Sequence, residues 1–107
     1  MVRVLNNFLD WNKAMKNFPK IVKVSPLANK KLNVLFDNGK TKTYDCKYLL
    51  QKPEFALLNE ERFFKSVNVD AGGYGISWND NIDISEYELW TNGIEINSME
   101  HIEEFRI

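Results

Sequence analysis

Apolar residues in the first part of the chain recur at the spacing of an α-helix. They follow one another at steps of four and three residues and so share one stripe: Val4, Phe8, Trp11, Met15 and Phe18. Pro19 ends the pattern, because the residue before a proline avoids the helical conformation. The sequence therefore predicts a helical extension over residues 1–19. Its stripe packs either on the rest of the chain or against a partner.

From Lys20 onward the apolar residues alternate with a period of two, as in half-buried strands. Residues 21–25 predict a strand that has Val22 and Val24 on one face. We expect this strand to stop near Pro26, because proline cannot donate to a sheet ladder.

The clearest prediction is a β-hairpin centred on Asn38 and Gly39. Apolar residues occupy every second position up to Phe36, and an Asn-Gly pair supplies the positive φ angles of a two-residue turn. Such a turn sets Thr41 opposite Phe36 and Thr43 opposite Val34. Cys46 follows the returning strand and is expected in the core.

Shorter elements follow in the second half of the chain. We predict a strand around Val67 and Val69, a turn over residues 72–75, and two further strands over residues 76–78 and 82–84. Ser85 and Glu88 have the spacing of a helix capping box, and Asn92-Gly93 ends that helix.

These elements predict an α+β fold, a compact single domain of short antiparallel strands and hairpins with two or three small helices. Residues 20–93 form the core domain in this interpretation. Residues 1–19 are a helical extension, and residues 94–107 are a C-terminal tail packed on the domain.

Charge is distributed unevenly along the 107 residues, although the formal net charge is only −1. Residues 1–52 contain eleven basic and three acidic residues, whereas residues 53–107 contain three basic and twelve acidic ones. Two interpretations stay open. Either the halves form separate surfaces of opposite charge, or their strands interleave and the charges neutralise each other locally.

The chain has the composition of a cytoplasmic protein that does not enter a membrane. Its single cysteine excludes an internal disulfide framework. No apolar run approaches the roughly 18 residues of a membrane span, and polar residues interrupt the start of the chain where a signal peptide would be apolar.

No pattern in the sequence indicates catalysis. His101 and Cys46 are the single histidine and the single cysteine, and neither lies in the context of a nucleophile. The glycines of residues 72–75 are followed by a predicted strand, whereas a phosphate loop requires a helix there. We therefore expect no catalytic residue, no cofactor, no metal site and no enzymatic activity.

A lysine-rich strand surface is the basis of an alternative function. Four lysines near predicted strands could follow a phosphate backbone: Lys23, Lys31, Lys40 and Lys42. Arginine is scarce, however, and lysine also protects strand edges from pairing. Under this alternative the chain is a nucleic-acid-binding or regulatory domain.

An ordered set of motifs carries a family resemblance. Phe36-Asp37-Asn38-Gly39 comes first, followed by the stretch of residues 67–79 with its two adjacent glycines and Trp78, and then by Ile82-Asp83-Ile84-Ser85. In this order the motifs resemble DUF2442, a small family of bacterial domains of unknown function, over about residues 20–93. Its members often carry proline where this chain has Ala71, which is a difference confined to a turn.

The resemblance implies a compact α+β domain and no agreed catalytic residues. It also implies a gene that neighbours a second small family, in an arrangement like that of toxin–antitoxin pairs. We therefore predict a non-enzymatic protein-interaction domain, the antitoxin-like or accessory member of such a pair. Its partner is a small protein, with self-association as a further interpretation. The predicted contacts are large aromatic residues near turns and chain ends: Phe8, Trp11, Tyr74 and Trp90.

Overall fold

The computed structural model describes residues 18–96, and within this range the strands form two antiparallel sheets. The first sheet has the order β1-β2-β3-β7, with β1 at Ile21–Leu27, β2 at Lys31–Phe36, β3 at Thr41–Asp45 and β7 at Ile94–Glu95. The second has the order β4-β5-β6, with β4 at Asn68–Val69, β5 at Gly75–Asn79 and β6 at Ile82–Ser85.

Short helices connect and cover the sheets. The α-helices are α1 at Glu61–Phe64 and α2 at Glu86–Asn92, and 3₁₀ turns lie at Ala28–Lys30, Cys46–Gln51, Pro53–Asn59 and Ala71–Gly73. The predicted α+β class is confirmed. None of the helices within residues 18–96 is long and apolar enough to cross a membrane.

Both sheets and the helices contribute to one hydrophobic core. Sheet residues such as Val34 and Ile76 belong to the same buried cluster as Leu58, Phe64 and Leu89, which come from the helical segments. The Trp78 indole stacks on Phe64 and donates its N–H to the Phe64 carbonyl over 2.8 Å, so the one polar atom of this side chain is satisfied inside the core.

The first strand differs from its prediction in two ways. A bulge between Ile21 and Lys23 shifts the alternation, so Ile21 and Val24 face the core while Val22 is exposed. The strand also continues through Pro26 to Leu27. β1 is an edge strand that pairs only with β2, so it can contain a proline without interrupting hydrogen bonds to a second neighbouring strand.

The β2–β3 hairpin is confirmed, but its turn is one residue longer than predicted. The Gly39 amide donates to the Phe36 carbonyl, and the Phe36 amide donates to the Lys40 carbonyl, so three residues form the loop. Gly39 alone in this loop has a positive φ, of 88°. Thr41 therefore lies opposite Leu35 and Thr43 opposite Asn33, which corrects the predicted register by one position.

Candidate functional site

Two neighbouring surfaces beside α2 carry the candidate functional residues. The first, which we call the aromatic face, consists of Phe18, Tyr74 and Tyr87. The Tyr87 ring meets the Phe18 ring edge-on at 5.2 Å between centroids. Tyr74 and Tyr87 remain 61% and 42% exposed. Exposed aromatic side chains of this kind are the usual anchors of protein interfaces.

The ammonium group of Lys20 connects the parts of the aromatic face. It lies 4.6 Å from the centre of the Tyr74 ring, donates to the Glu86 carboxylate over 2.5 Å and donates to the Phe18 carbonyl over 3.4 Å. The opposite charges of Lys20 and Glu86 therefore compensate each other beside the Tyr74 ring. The aromatic face combines exposed rings with a neutralised ion pair that is less exposed than Tyr74 and Tyr87.

The loop that presents Tyr74 is closed by hydrogen bonds on both sides. The Asp70 amide donates to the Gly75 carbonyl, and the Gly73 amide donates to the Asp70 carbonyl, both over 2.9 Å. The Asp70 carboxylate also accepts the Ser77 hydroxyl over 2.6 Å. Residues 72–75 were predicted as a turn without a role for Asp70, although an aspartate two positions before a pair of glycines is typical of an ordered turn.

Backbone packing fixes the same loop against β1. Gly73 has a φ of 75°, and a Cβ there would lie 2.5 Å from the Ile21 carbonyl oxygen. Only glycine tolerates both this conformation and this approach. Tyr74 is thereby held at a fixed place beside the start of β1.

Trp90 is positioned differently from the residues of the aromatic face. It is half-buried, its ring meets Phe36 edge-on at 5.1 Å, and the Lys42 ammonium group lies 3.9 Å above the ring centre. Lys42 also donates to the Trp90 carbonyl. In this arrangement Trp90 attaches α2 to the first sheet, and its role as a partner contact stays a prediction. Phe8 and Trp11, like His101, lie outside the described residues.

The four lysines of the nucleic-acid alternative are not on one face. Lys42 is paired with Val34 across the sheet and so lies on the core side, whereas Lys23 and Lys31 are paired with Leu35 and Leu27 on the opposite side. Lys40 donates to Glu95 over 3.1 Å near the hairpin turn. The lysine-rich strand surface that the alternative needs is therefore divided between two faces and a turn.

The second surface is a groove of about 460 Å³ beside the end of β3. It lies where β7 stops pairing with β3 at Thr43 and where α2 packs beside β3. Its lining combines two tyrosines, three charged side chains and smaller groups: Lys31, Thr43, Tyr44, Asp45, Tyr48, Glu88, Asn92 and Ile94.

A tyrosine–carboxylate pair lies within this groove. Tyr44 has its ring in the core and donates its hydroxyl to the Glu88 carboxylate over 2.8 Å. Burial and the neighbouring Glu88 charge raise the pKa of the Tyr44 hydroxyl well above its usual range, so it stays a donor at neutral pH. The Glu88 amide donates to the Ser85 hydroxyl over 3.1 Å, which confirms the predicted N-cap of α2.

Of the two hydrogen bonds that the predicted Ser85–Glu88 capping box implies, the described residues show only the first, from the Glu88 amide to the Ser85 hydroxyl. A capping box predicts that the Glu88 carboxylate returns to the Ser85 backbone. In the structure it accepts the Tyr44 hydroxyl, because β3 brings that group within reach. This long-range contact has no signal in the local sequence pattern.

The cysteine is confirmed as a core residue. Cys46 is fully buried, and burial together with the nearby Asp45 raises the pKa of its thiol to about 12. A neutral, enclosed thiol is not an activated nucleophile. Within the described part of the chain, no group of three or more histidine, cysteine, aspartate or glutamate residues is arranged to hold a metal ion.

Comparison with known proteins identifies a family but no close relative. A family model described as Protein of unknown function (DUF2442) matches residues 21–95, which include both sheets, the loop that presents Tyr74, and α2. No curated protein and no solved structure matches the chain.

Proposed function

We propose that this chain, which belongs to the DUF2442 family, is a protein-interaction domain that binds a small protein through its aromatic face. The observation that supports this function is the exposure of Tyr74 on a loop that hydrogen bonds and Gly73 hold in place. A fixed, exposed tyrosine loses little conformational entropy when a partner covers it, so it contributes strongly to binding.

The charges around the aromatic face indicate what kind of partner segment it accepts. Lys20 and Glu86 compensate each other, so the face has little net charge to offer a charged ligand. Burying its apolar rings against another apolar surface is favourable by the hydrophobic effect. We infer a partner that presents an apolar segment, and the family resemblance suggests the small protein encoded beside this gene.

Purification of the tagged chain from its native host, with and without nuclease, tests this function. The native sequence is compared with Tyr74→Ser and with Leu57→Ser. The second variant removes another exposed apolar side chain from a different segment, the 3₁₀ turn at Pro53–Asn59. Both substitutions are at exposed positions, where changes in stability are small. We expect a stoichiometric small protein that survives nuclease, remains with Leu57→Ser and is lost with Tyr74→Ser.

Two results would contradict the proposal in different ways. If Tyr74→Ser retains the partner as well as the native chain does, the aromatic face is not the contact surface. If nuclease releases every co-purified protein, nucleic acid connects them. Binding that weakens steeply with added salt would then favour the lysine alternative.

A further inference from the structure

The groove beside β3 is large enough to accept a side chain of a partner. Its volume of about 460 Å³ falls within the range of roughly 300–1,000 Å³ that is typical of ligand pockets. Tyr48 and Ile94, which line the groove, are 71% and 74% exposed, so both are available for contact.

The charges in the groove do not balance. Lys31 and Asp45 are directly opposite each other on β2 and β3, so their charges offset one another across the strands. Glu88 adds a further negative charge. The ion pairs between residues 18 and 96 join Lys20 to Glu86, Lys30 to Glu61 and Lys40 to Glu95, and Glu88 takes part in none of them.

The Glu88 carboxylate is nevertheless held in a defined orientation. One of its oxygens accepts the Tyr44 hydroxyl, and its backbone is fixed by the Ser85 cap at the start of α2. A carboxylate oxygen has two acceptor positions, so the group retains the capacity to accept further N–H donors. The groove therefore combines an oriented anion with an aromatic wall and an aliphatic wall.

From these observations we propose that the groove binds an arginine side chain of a partner protein. The guanidinium group donates N–H bonds to the Glu88 carboxylate, and the arginine stem lies against Tyr48 and Ile94. Arginine fits better than lysine, because its planar group can both donate two parallel hydrogen bonds and stack on a tyrosine ring. This site is separate from the aromatic face, so either proposal can fail alone.

Titration of the full chain with acetyl-arginine amide tests the site, with backbone amide shifts as the readout. We expect saturable, millimolar binding that shifts the amides of Glu88, Tyr44 and Tyr48. Acetyl-citrulline amide has the same shape without the charge and should bind about ten-fold more weakly, because charge-assisted hydrogen bonds are lost. The affinity of Nα-acetyl-lysine amide, which keeps its charged ammonium group, should lie between those of the arginine and citrulline probes.

Variants of the chain separate the proposed contacts from general effects. Glu88→Gln keeps an acceptor for Tyr44 but removes the negative charge, so it should weaken arginine binding about ten-fold. Lys31→Gln removes a positive charge that repels the guanidinium group, so it should strengthen binding. Tyr48→Ala should also weaken binding. Glu60→Gln changes an exposed carboxylate that does not line the groove and should leave the affinity unchanged. The same spectra show whether each variant is folded.

Several outcomes would overturn the proposal. Equal affinity for the citrulline and arginine probes would show that the groove does not recognise the charge. The absence of any saturable shift in the native chain would show that there is no such site. A dimer of this chain that the arginine probe dissociates would show that a second copy, rather than a partner protein, occupies the groove.

Discussion

The thiol of Cys46 illustrates how burial, more than any other factor, determines the chemistry of one residue. Its pKa is raised to about 12 because the surrounding core does not solvate a thiolate. We therefore expect no reaction with a thiol reagent in the folded chain at pH 8, and rapid reaction once the chain is unfolded in urea. Time courses with and without denaturant measure this difference, and a fast reaction in the folded chain would contradict it.

The same residue makes stability depend on alkaline pH. In the unfolded chain the thiol ionises near its ordinary pKa of 9.0, whereas in the folded chain the pKa is raised to about 12. A raised folded pKa contributes stability that is fully present below pH 9 and is lost as the pH rises towards 12. Urea unfolding between these pH values should show the loss, with a shallower slope for Cys46→Ala. The slope does not vanish, because Tyr44 also has a raised pKa.

Removal of the Tyr44 hydroxyl tests its hydrogen bond to Glu88 in the groove. Tyr44→Phe removes the hydrogen bond to Glu88 but keeps the buried ring, so we expect a loss of about 1 kcal/mol in the free energy of unfolding. Tyr48→Phe removes a hydroxyl from an exposed ring and should change stability much less. Equal effects in chemical denaturation would mean that the Tyr44–Glu88 bond contributes nothing.

Single residues differ in how far the sequence could predict them. Ser85 as an N-cap and Cys46 as a core residue follow from local patterns, and both are confirmed. The partner of Glu88 could not be predicted, because Tyr44 is 44 positions away along the chain. Contacts of this kind depend on strand order, which local periodicity does not encode.

At the scale of elements, alternation predicted the strands but not the details of their pairing. The β2–β3 hairpin has its predicted strands, yet a three-residue loop replaced the two-residue turn and moved each pair by one position. An Asn-Gly pair suits both loops, since each needs a glycine at a positive φ. Likewise, nothing in residues 21–25 marked the bulge that exposes Val22.

Two glycines with similar φ angles allow the cost of backbone strain to be separated from the cost of a steric clash. Gly39 has a φ of 88°, and a Cβ added there would have no atom within 4 Å, whereas a Cβ on Gly73 would lie 2.5 Å from the Ile21 carbonyl oxygen. Gly39→Ala should therefore cost about 1–2 kcal/mol from the backbone conformation alone. Gly73→Ala should cost about 1–3 kcal/mol more, because β1 must also shift.

Urea unfolding of the two glycine variants measures this difference. The amide spectrum of Gly73→Ala should also change around Tyr74 and the start of β1, while that of Gly39→Ala changes only near the hairpin turn. Equal destabilisation by the two substitutions would show that the loop before β5 does not pack closely on β1.

At the scale of the whole molecule, the uneven charge along the chain is compensated in the fold. Each ion pair within residues 18–96 joins a lysine of the basic half to a glutamate of the acidic half. β7, from the acidic half, pairs with β3 from the basic half. These contacts support the interleaved interpretation over two separate charged surfaces. The sequence left both open, because it does not show which strands become neighbours.

One of these ion pairs gives an acid-dependent contribution to stability. The hydrogen bond from Lys30 holds the pKa of the exposed Glu61 carboxyl below its usual value of 4.5. A lowered folded pKa contributes stability above the unfolded pKa, and this is lost as the pH falls through the folded value. Lys30→Gln should therefore flatten the acid side of the stability profile slightly, since exposed pairs contribute little. An unchanged profile would contradict the pairing.

Isothermal titration of the purified partner into this chain tests the central claim that the aromatic face is a protein-binding surface. We expect Tyr74→Ser to weaken the affinity about ten-fold or more, as the loss of an interface anchor does, and Leu57→Ser to leave it unchanged. Equal affinities for the native chain and both variants would contradict the claim and would place the contact elsewhere on the molecule.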